Sequence, residues 1–152
     1  EYYGLPADHP ESYARFMREQ LFDHIDIPAE NINIPSGTIP SDQVFAHCKA
    51  YEDKIHAVGG IDLQILGIGR TGHIGFNEPG SPRDSRTREI ELDPITRQDA
   101  APSFGGLDQV HAPGQPGEFQ LVQAGRQPRR QETAASTGVL KRPSGFLVSG
   151  DA

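Results

Sequence analysis

His73 and Glu78 stand five residues apart in the stretch GIGRTGHIGFNEPGS, which begins at Gly67. A carboxylate beside an imidazole holds one ring tautomer, and the pair suits general acid/base chemistry near neutral pH. The competing reading is a core histidine next to an unrelated surface glutamate, and spacing alone leaves both open. The loop is rich in glycine, so backbone N–H groups can come close to an anion or a sugar oxygen.

The same glycines, Gly67, Gly69 and Gly72, spell G-x-G-x-x-G after an apolar run, the pattern of a dinucleotide-binding turn. That turn needs a helix opening at its third glycine, so that the helix N-terminus faces the pyrophosphate. Residues 73–82 contain Gly75, Pro79, Gly80 and Pro82, which cannot sustain that helix. Glu89 and Glu91 lie about where a ribose-binding acid belongs, ~20 residues on, but no helix intervenes. The nicotinamide reading therefore fails. What remains is an irregular loop at the carboxyl end of a strand, where open α/β sheets bind ligands.

The elements that must position the loop can be read on either side of it. Asp8-His9-Pro10-Glu11 predicts a helix start, with Tyr13, Phe16, Met17, Leu21 and Phe22 as its apolar stripe. Residues 31–35 alternate like a short strand. Ser41 predicts a second helix with Val44, Phe45, Cys48, Tyr51 and Ile55 on one face, stopped by Gly59-Gly60. Residues 61–66 predict a strand with apolar Leu63, Ile65 and Leu66. Thr87 to Leu92 predicts another, and Asp93-Pro94 a helix cap and first turn. Helices alternating with strands predict an α/β fold with a Rossmann-like open sheet of mainly parallel strands, incomplete in this chain.

Composition bounds the function. The 152 residues carry a net charge of −7, which argues against an indiscriminate binder of nucleic acid or anionic membrane. No run approaches the ~20 apolar residues of a membrane helix, and the first residues do not read as a secretion signal. Cys48 is the only cysteine, so no internal disulfide forms, and a reducing, cytoplasmic setting is expected. A lone cysteine of this kind is expected in the core. Glu1-Tyr2-Tyr3-Gly4-Leu5-Pro6 reads as the interior of a longer polypeptide.

Near Val110 the composition changes. Residues 111–152 hold 6 Gly, 4 Pro and 5 Gln, with 5 basic and 3 acidic side chains against 9 and 18 in residues 1–110. The chain therefore divides into residues 1–110 and a tail, 111–152, that reads as disordered. Arg126, Arg129 and Arg130 form a basic cluster in that tail, read as a solvated stretch.

The motif GIGRTGHIGFNEPGS resembles the active-site loop of the glucosamine-6-phosphate deaminases, also called isomerases. The related 6-phosphogluconolactonases share its first part but not the continuation I-x-F-N-E-P. Glu1 to Leu5, His9 to Tyr13 with Phe16-Met17, Asp26 to Asn33 and Ser85 to Arg88 are similar to other stretches of the deaminases. The resemblance covers residues 1–110. It implies conversion of glucosamine 6-phosphate and water to fructose 6-phosphate and ammonia, with neither cofactor nor metal. His73 matches the residue that opens the sugar ring and Glu78 the carboxylate that orients it. Gly69, Gly72 and Asn77 match substrate-binding positions. Arg88 matches a neighbourhood that can hold an allosteric anion between subunits, with a strand of solvated charges as the alternative. A small-molecule sugar phosphate is the implied partner, and homo-oligomers are implied for full-length relatives.

Several departures qualify the expectation. Position 71 often carries Asp in the family, and here it is Thr71, a hydroxyl that orients an imidazole without adding charge. The family's proton-shuttling Asp belongs just before Glu1, and its N-terminal phosphate loop is likewise absent. An arginine expected near Ala101-Pro102 is missing. Residues 111–152 do not resemble the family's continuation, as a frame-shifted segment would not. The 152 residues are accordingly expected to be inactive alone. A lactonase or isomerase on the same scaffold and a non-catalytic sugar-phosphate-binding module are the competing functions.

Overall fold

The structure, a computed structural model, describes residues 1–107, Val110 and Phe119–Val122. Helix α1 spans Tyr13–Gln20, and Ser12 caps it by accepting from the Ala14 N–H at 3.1 Å. Its start lies later than the expected opening at Asp8 to Pro10, because a second group reaches the same end. The Glu1 side chain is buried there: Oε2 accepts from Ser12 Oγ at 2.8 Å and Ala14 N at 3.1 Å, and Oε1 from Tyr2 N and Tyr13 N. An acidic oxygen pair facing the first N–H groups satisfies donors that the helix itself cannot. Of the predicted stripe, Met17 and Phe22 are buried, whereas Phe16 is exposed.

A 3₁₀ turn at Ser41–Gln43 leads into α2, Val44–Ala57. Val44, Cys48, Tyr51 and Ile55 are buried, steps of four, three and four that make one helical face. Phe45 lies one step off that face and is 84% exposed, correcting its placement on it. Gly59 and Gly60, both at positive φ, end α2 as predicted, with Gly60 N donating to Ile55 O at 2.8 Å. Tyr3, Val44 and Cys48 form a core cluster with Ile39 against it, and the Tyr3 hydroxyl donates to Ile39 O at 2.8 Å. Burial, then the nearby Glu89 carboxylate, push the Cys48 thiol up, so it is a core side chain rather than a nucleophile.

The sheet differs from the expectation. Strand β1, Arg88–Glu91, forms where it was predicted, but it pairs antiparallel with β2, Phe119–Val122. Neither residues 31–35 nor 61–66 form a strand among the described residues. A strand needs a neighbour's row of N–H and C=O groups, and apolar alternation alone does not supply one. The result is visible in Leu63 and Ile65, 71% and 64% exposed despite their core-like pattern. The tail reading falls on residues outside those described, apart from β2. The expected cap holds: α3, Pro94–Ala100, opens with Asp93 accepting from Ile95 N at 2.8 Å.

Aromatic rings join the parts. Tyr2 stacks on Tyr13 at 5.7 Å between centroids and meets Phe104 edge-on at 5.1 Å, while Tyr13 meets Phe76 edge-on at 5.1 Å. The N-terminal segment, α1, the glycine loop and the turn after α3 thus share one packed cluster. No helix of the described residues is long and apolar enough to cross a membrane.

Helix α2 holds β1 through Glu52. Its Oε1 accepts from Thr87 N at 3.0 Å and Thr87 Oγ1 at 2.7 Å, and Arg86 approaches Oε2 at 3.4 Å. Burial alone would raise the Glu52 carboxyl, but the two Thr87 hydrogen bonds and the Arg86 and His56 charges outweigh it and hold it below the ordinary range. A lowered value in the fold means that the ionised form stabilises it. Glu52→Gln is expected to lower the unfolding free energy by about 1–3 kcal/mol at pH 7. The penalty should fade as pH falls below the ordinary carboxylate range and through the lowered Glu52 value, where the wild type loses the same charge. Urea unfolding of both proteins at pH 7 and pH 3.5 checks the size and the sign.

Candidate active site

The loop from Gly67 to Gly80 is held by its own backbone. Gly69 N donates to His73 O, Gly72 N to Gly69 O and Gly75 N to Gly67 O, each at 2.9 Å, and isolated bridges join Ile74 to Ile68 and Asn77. Gly72, Gly75 and Gly80 have φ of 85°, 57° and 93°, which favours glycine. No helix follows Gly72, as the rejection of a dinucleotide turn requires; the next is α3. The N–H groups of Gly69 and Gly72 donate within the loop itself.

The second glycine of the motif has a different task. A Cβ on Gly69 would overlap His73 Nε2 and Cε1 and come within 2.7 Å of Cδ2. The imidazole therefore lies directly against the Gly69 backbone, in space that any other residue would fill. At Gly72 and Gly80 an added Cβ meets nothing within 4 Å, so those two are set by φ and not by crowding.

His73 is buried, and three oxygens gather about its Nδ1. Thr71 Oγ1 lies at 2.8 Å, Thr96 Oγ1 at 3.3 Å and Glu78 Oε2 at 3.7 Å. The His73–Glu78 pair inferred from spacing is thus brought together, with Thr71 closer to the ring than the carboxylate. Glu78 has divided roles. Its Oε1 accepts from Asp93 N at 3.1 Å, fixing it to the start of α3, while Oε2 is buried without a hydrogen-bond partner. An unsatisfied buried carboxylate oxygen beside an imidazole is ready to take a proton donor.

Asn77 and Arg88 form a second lock. Arg88 donates to Asn77 Oδ1 at 3.2 Å and to Ser85 Oγ and Ser81 Oγ, each at 3.0 Å, while Asn77 Nδ2 donates to Ile74 O at 3.3 Å. Burial moves the Arg88 guanidinium below its ordinary value. Through these bonds Arg88 ties β1 to the far side of the loop. Both ends of the Asn77 amide are used inside the protein. Among the described residues no group of three or more His, Cys, Asp or Glu is arranged to hold a metal.

Two participants were missed from the sequence. Thr96 sits on α3, 23 residues beyond His73, and nothing local marks it. Arg70 makes a two-pronged bond to Asp99, Nε to Oδ2 at 3.1 Å and Nη2 to Oδ1 at 2.7 Å. Opposite charges at that separation give no signal without the fold.

The packing of His73 on Gly69 carries a direct test. Gly69→Ala is expected to displace the imidazole and cost about 1–3 kcal/mol of stability, the range for overpacking a filled site. Gly69→Ala with a wild-type melting temperature and unmoved His73 ring resonances would show that the ring does not lie there.

Comparison with known proteins identifies the family. The family model described as glucosamine-6-phosphate isomerases/6-phosphogluconolactonase matches residues 4–93. The chain is 53% identical over 110 residues to the glucosamine-6-phosphate deaminase of Geobacillus sp. (strain WCH70), covering 72% of this chain and 43% of that protein. It is 56% identical over 104 residues to that of Hahella chejuensis (strain KCTC 2396), covering 68% and 39%. The solved structure of a monomeric glucosamine-6-phosphate deaminase, described as a missing link of the NagB superfamily, superposes with a TM-score of 0.71 at 40% identity, over 82% of this chain and 48% of that one. The chain thus spans less than half the length of the relatives it matches. With a buried histidine, its glutamate and the loop that carries both inside the matched region, the chain belongs to the glucosamine-6-phosphate isomerase/6-phosphogluconolactonase family.

Proposed function

We propose that this chain carries the ring-opening part of a glucosamine-6-phosphate deaminase. The observation that carries the reading is Nδ1 of a buried His73 beside Glu78 Oε2, an oxygen with no hydrogen-bond partner. A pyranose must move a proton to its ring oxygen and lose one from its anomeric hydroxyl before carbon 2 becomes acidic. His73 performs that exchange, with Glu78 orienting the ring and balancing the imidazolium that forms. A further carboxylate then moves a proton between carbons 2 and 1, and water replaces the amine, giving fructose 6-phosphate and ammonia. That carboxylate is not assigned to any residue of this chain.

In this reading Gly69 and Gly72 act by shaping the loop, Asn77 and Arg88 by fixing it to β1. The substrate is a small sugar phosphate, the setting cytoplasmic, and the sheet is completed in the open, mainly parallel form by the part of the relatives' length that this chain does not span. Lactone hydrolysis is the second reading, favoured by one observation. With Thr71 at the imidazole, position 71 adds no second carboxylate beside Glu78, and hydrolysis needs no carboxylate to move a proton between carbons.

The 152-residue chain alone is expected to release no detectable ammonia from glucosamine 6-phosphate. A chimera in which residues 1–110 replace the matching part of the Geobacillus deaminase is expected to release ammonia and fructose 6-phosphate together. His73→Ala in that chimera should lower kcat by about 100-fold or more. A folded chimera that hydrolyses 6-phosphogluconolactone without releasing ammonia would replace the deaminase reading with the lactonase one. Sugar-phosphate binding in calorimetry without either turnover would favour a binding module.

A further inference from the structure

We propose that Thr96 is a positioning residue for His73, holding the ring in the tautomer that carries its proton on Nδ1. Around Nδ1 lie the hydroxyls of Thr71 and Thr96 and a carboxylate oxygen of Glu78. A hydroxyl can donate or accept, but an ionised carboxylate only accepts. An Nδ1–H can donate to a hydroxyl and points its positive end toward the Glu78 carboxylate at 3.7 Å, whereas a bare Nδ1 can accept from the hydroxyls but turns its own lone pair toward that carboxylate. The two threonines come from different elements, the loop and α3, and so limit rotation of the ring from two sides.

The position of Thr96 is independently fixed. Residues 93, 96 and 99 are spaced three apart, and all three contact the glycine loop. Asp93 N donates to Glu78 Oε1, Thr96 reaches His73, and Asp99 takes both prongs of Arg70. Spacing of three places these groups along one side of the helix. Helix α3 is therefore pinned at both ends to the loop that bears His73, with the Thr96 hydroxyl between the pins. Thr96 is only 9% exposed, and a buried hydroxyl with no polar task would be better replaced by the methyl of valine.

The proposal rests on the deaminase reading only for the use made of the proton; the tautomer itself can be seen without substrate. The test is ¹⁵N-imidazole NMR of the 152-residue chain, with the His73 signals assigned by their loss in His73→Gln. The wild type is expected to show an Nδ1–H pattern. Thr96→Val should shift the ratio of tautomers by about fivefold, the effect of one hydrogen bond, with circular dichroism and melting temperature reporting an intact fold. Thr96→Ser should restore the wild-type pattern. If Thr96→Val does not fold, Thr96→Cys, close in volume and a weak acceptor, serves in its place. An Nε2–H pattern in the wild type overturns the proposal, as does an unchanged His73 pattern in a folded variant lacking the hydroxyl. Failure of the chimera to release ammonia would remove the deaminase reading and leave this result standing.

Discussion

A buried imidazole nitrogen has to find polar surroundings, and most of this structure can be understood from how Nδ1 of His73 finds two hydroxyls within hydrogen-bond distance and a carboxylate just beyond it. The first lies two residues back in the same loop, at Thr71, and requires the chain to double on itself. The second, Thr96, requires a helix to be laid across the loop. The third, Glu78, must face the ring while also holding the backbone N–H of Asp93. Each requirement places an element: the loop's internal hydrogen bonds, the docking of α3 and the capped start of that helix. Leaving a buried polar atom unsatisfied costs about 1–3 kcal/mol, enough to select such a set of contacts over looser ones.

The glycines follow from the same constraint. Gly69 must lack a side chain because the His73 ring occupies that volume, and Gly72 must be glycine because the loop turns there at positive φ. Two glycines that look alike in a motif thus answer to different physics. In a dinucleotide turn the pattern clears space for a pyrophosphate; here it clears space for the protein's own imidazole. The N–H groups that a phosphate would use are spent closing the loop.

Local features were legible in the sequence, and features that depend on partners were not. The cap at Asp93, the stop at Gly59-Gly60 and the face of α2 were readable because each is set within a few residues. His73 and Glu78 were readable because one loop carries both. The N-terminal start of α1 was misplaced because Glu1 acts on it from eleven residues before Ser12. Residues 61–66 read as a buried strand from apolar type alone, yet burial and strand pairing are supplied by neighbours, and Leu63 and Ile65 stand exposed without them. Thr96 and Arg70 were missed for the same reason: a threonine 23 residues away or a distant Arg–Asp pair acquires meaning only when the fold brings it to the loop.

The presence of Thr71 changes the electrostatics of the site more than its shape. At 2.8 Å a hydroxyl orients the ring as a carboxylate would but brings no charge, so Glu78 is the carboxylate that supplies negative charge near Nδ1. Glu78 supplies it from 3.7 Å, with one oxygen committed to Asp93 and the other unpartnered. At that separation a modest rotation of the side chain decides how strongly an imidazolium is stabilised, because Coulomb energy in a partly buried site varies steeply with distance. Control of the histidine therefore passes from the loop, where a second acid would sit, to the α3 junction that aims Glu78. The Asp93 N–H that holds Glu78 Oε1 and the Asp99 carboxylate that holds Arg70 lie at opposite ends of α3. A seven-residue helix with little core of its own thereby becomes the part on which the proton chemistry of His73 most depends.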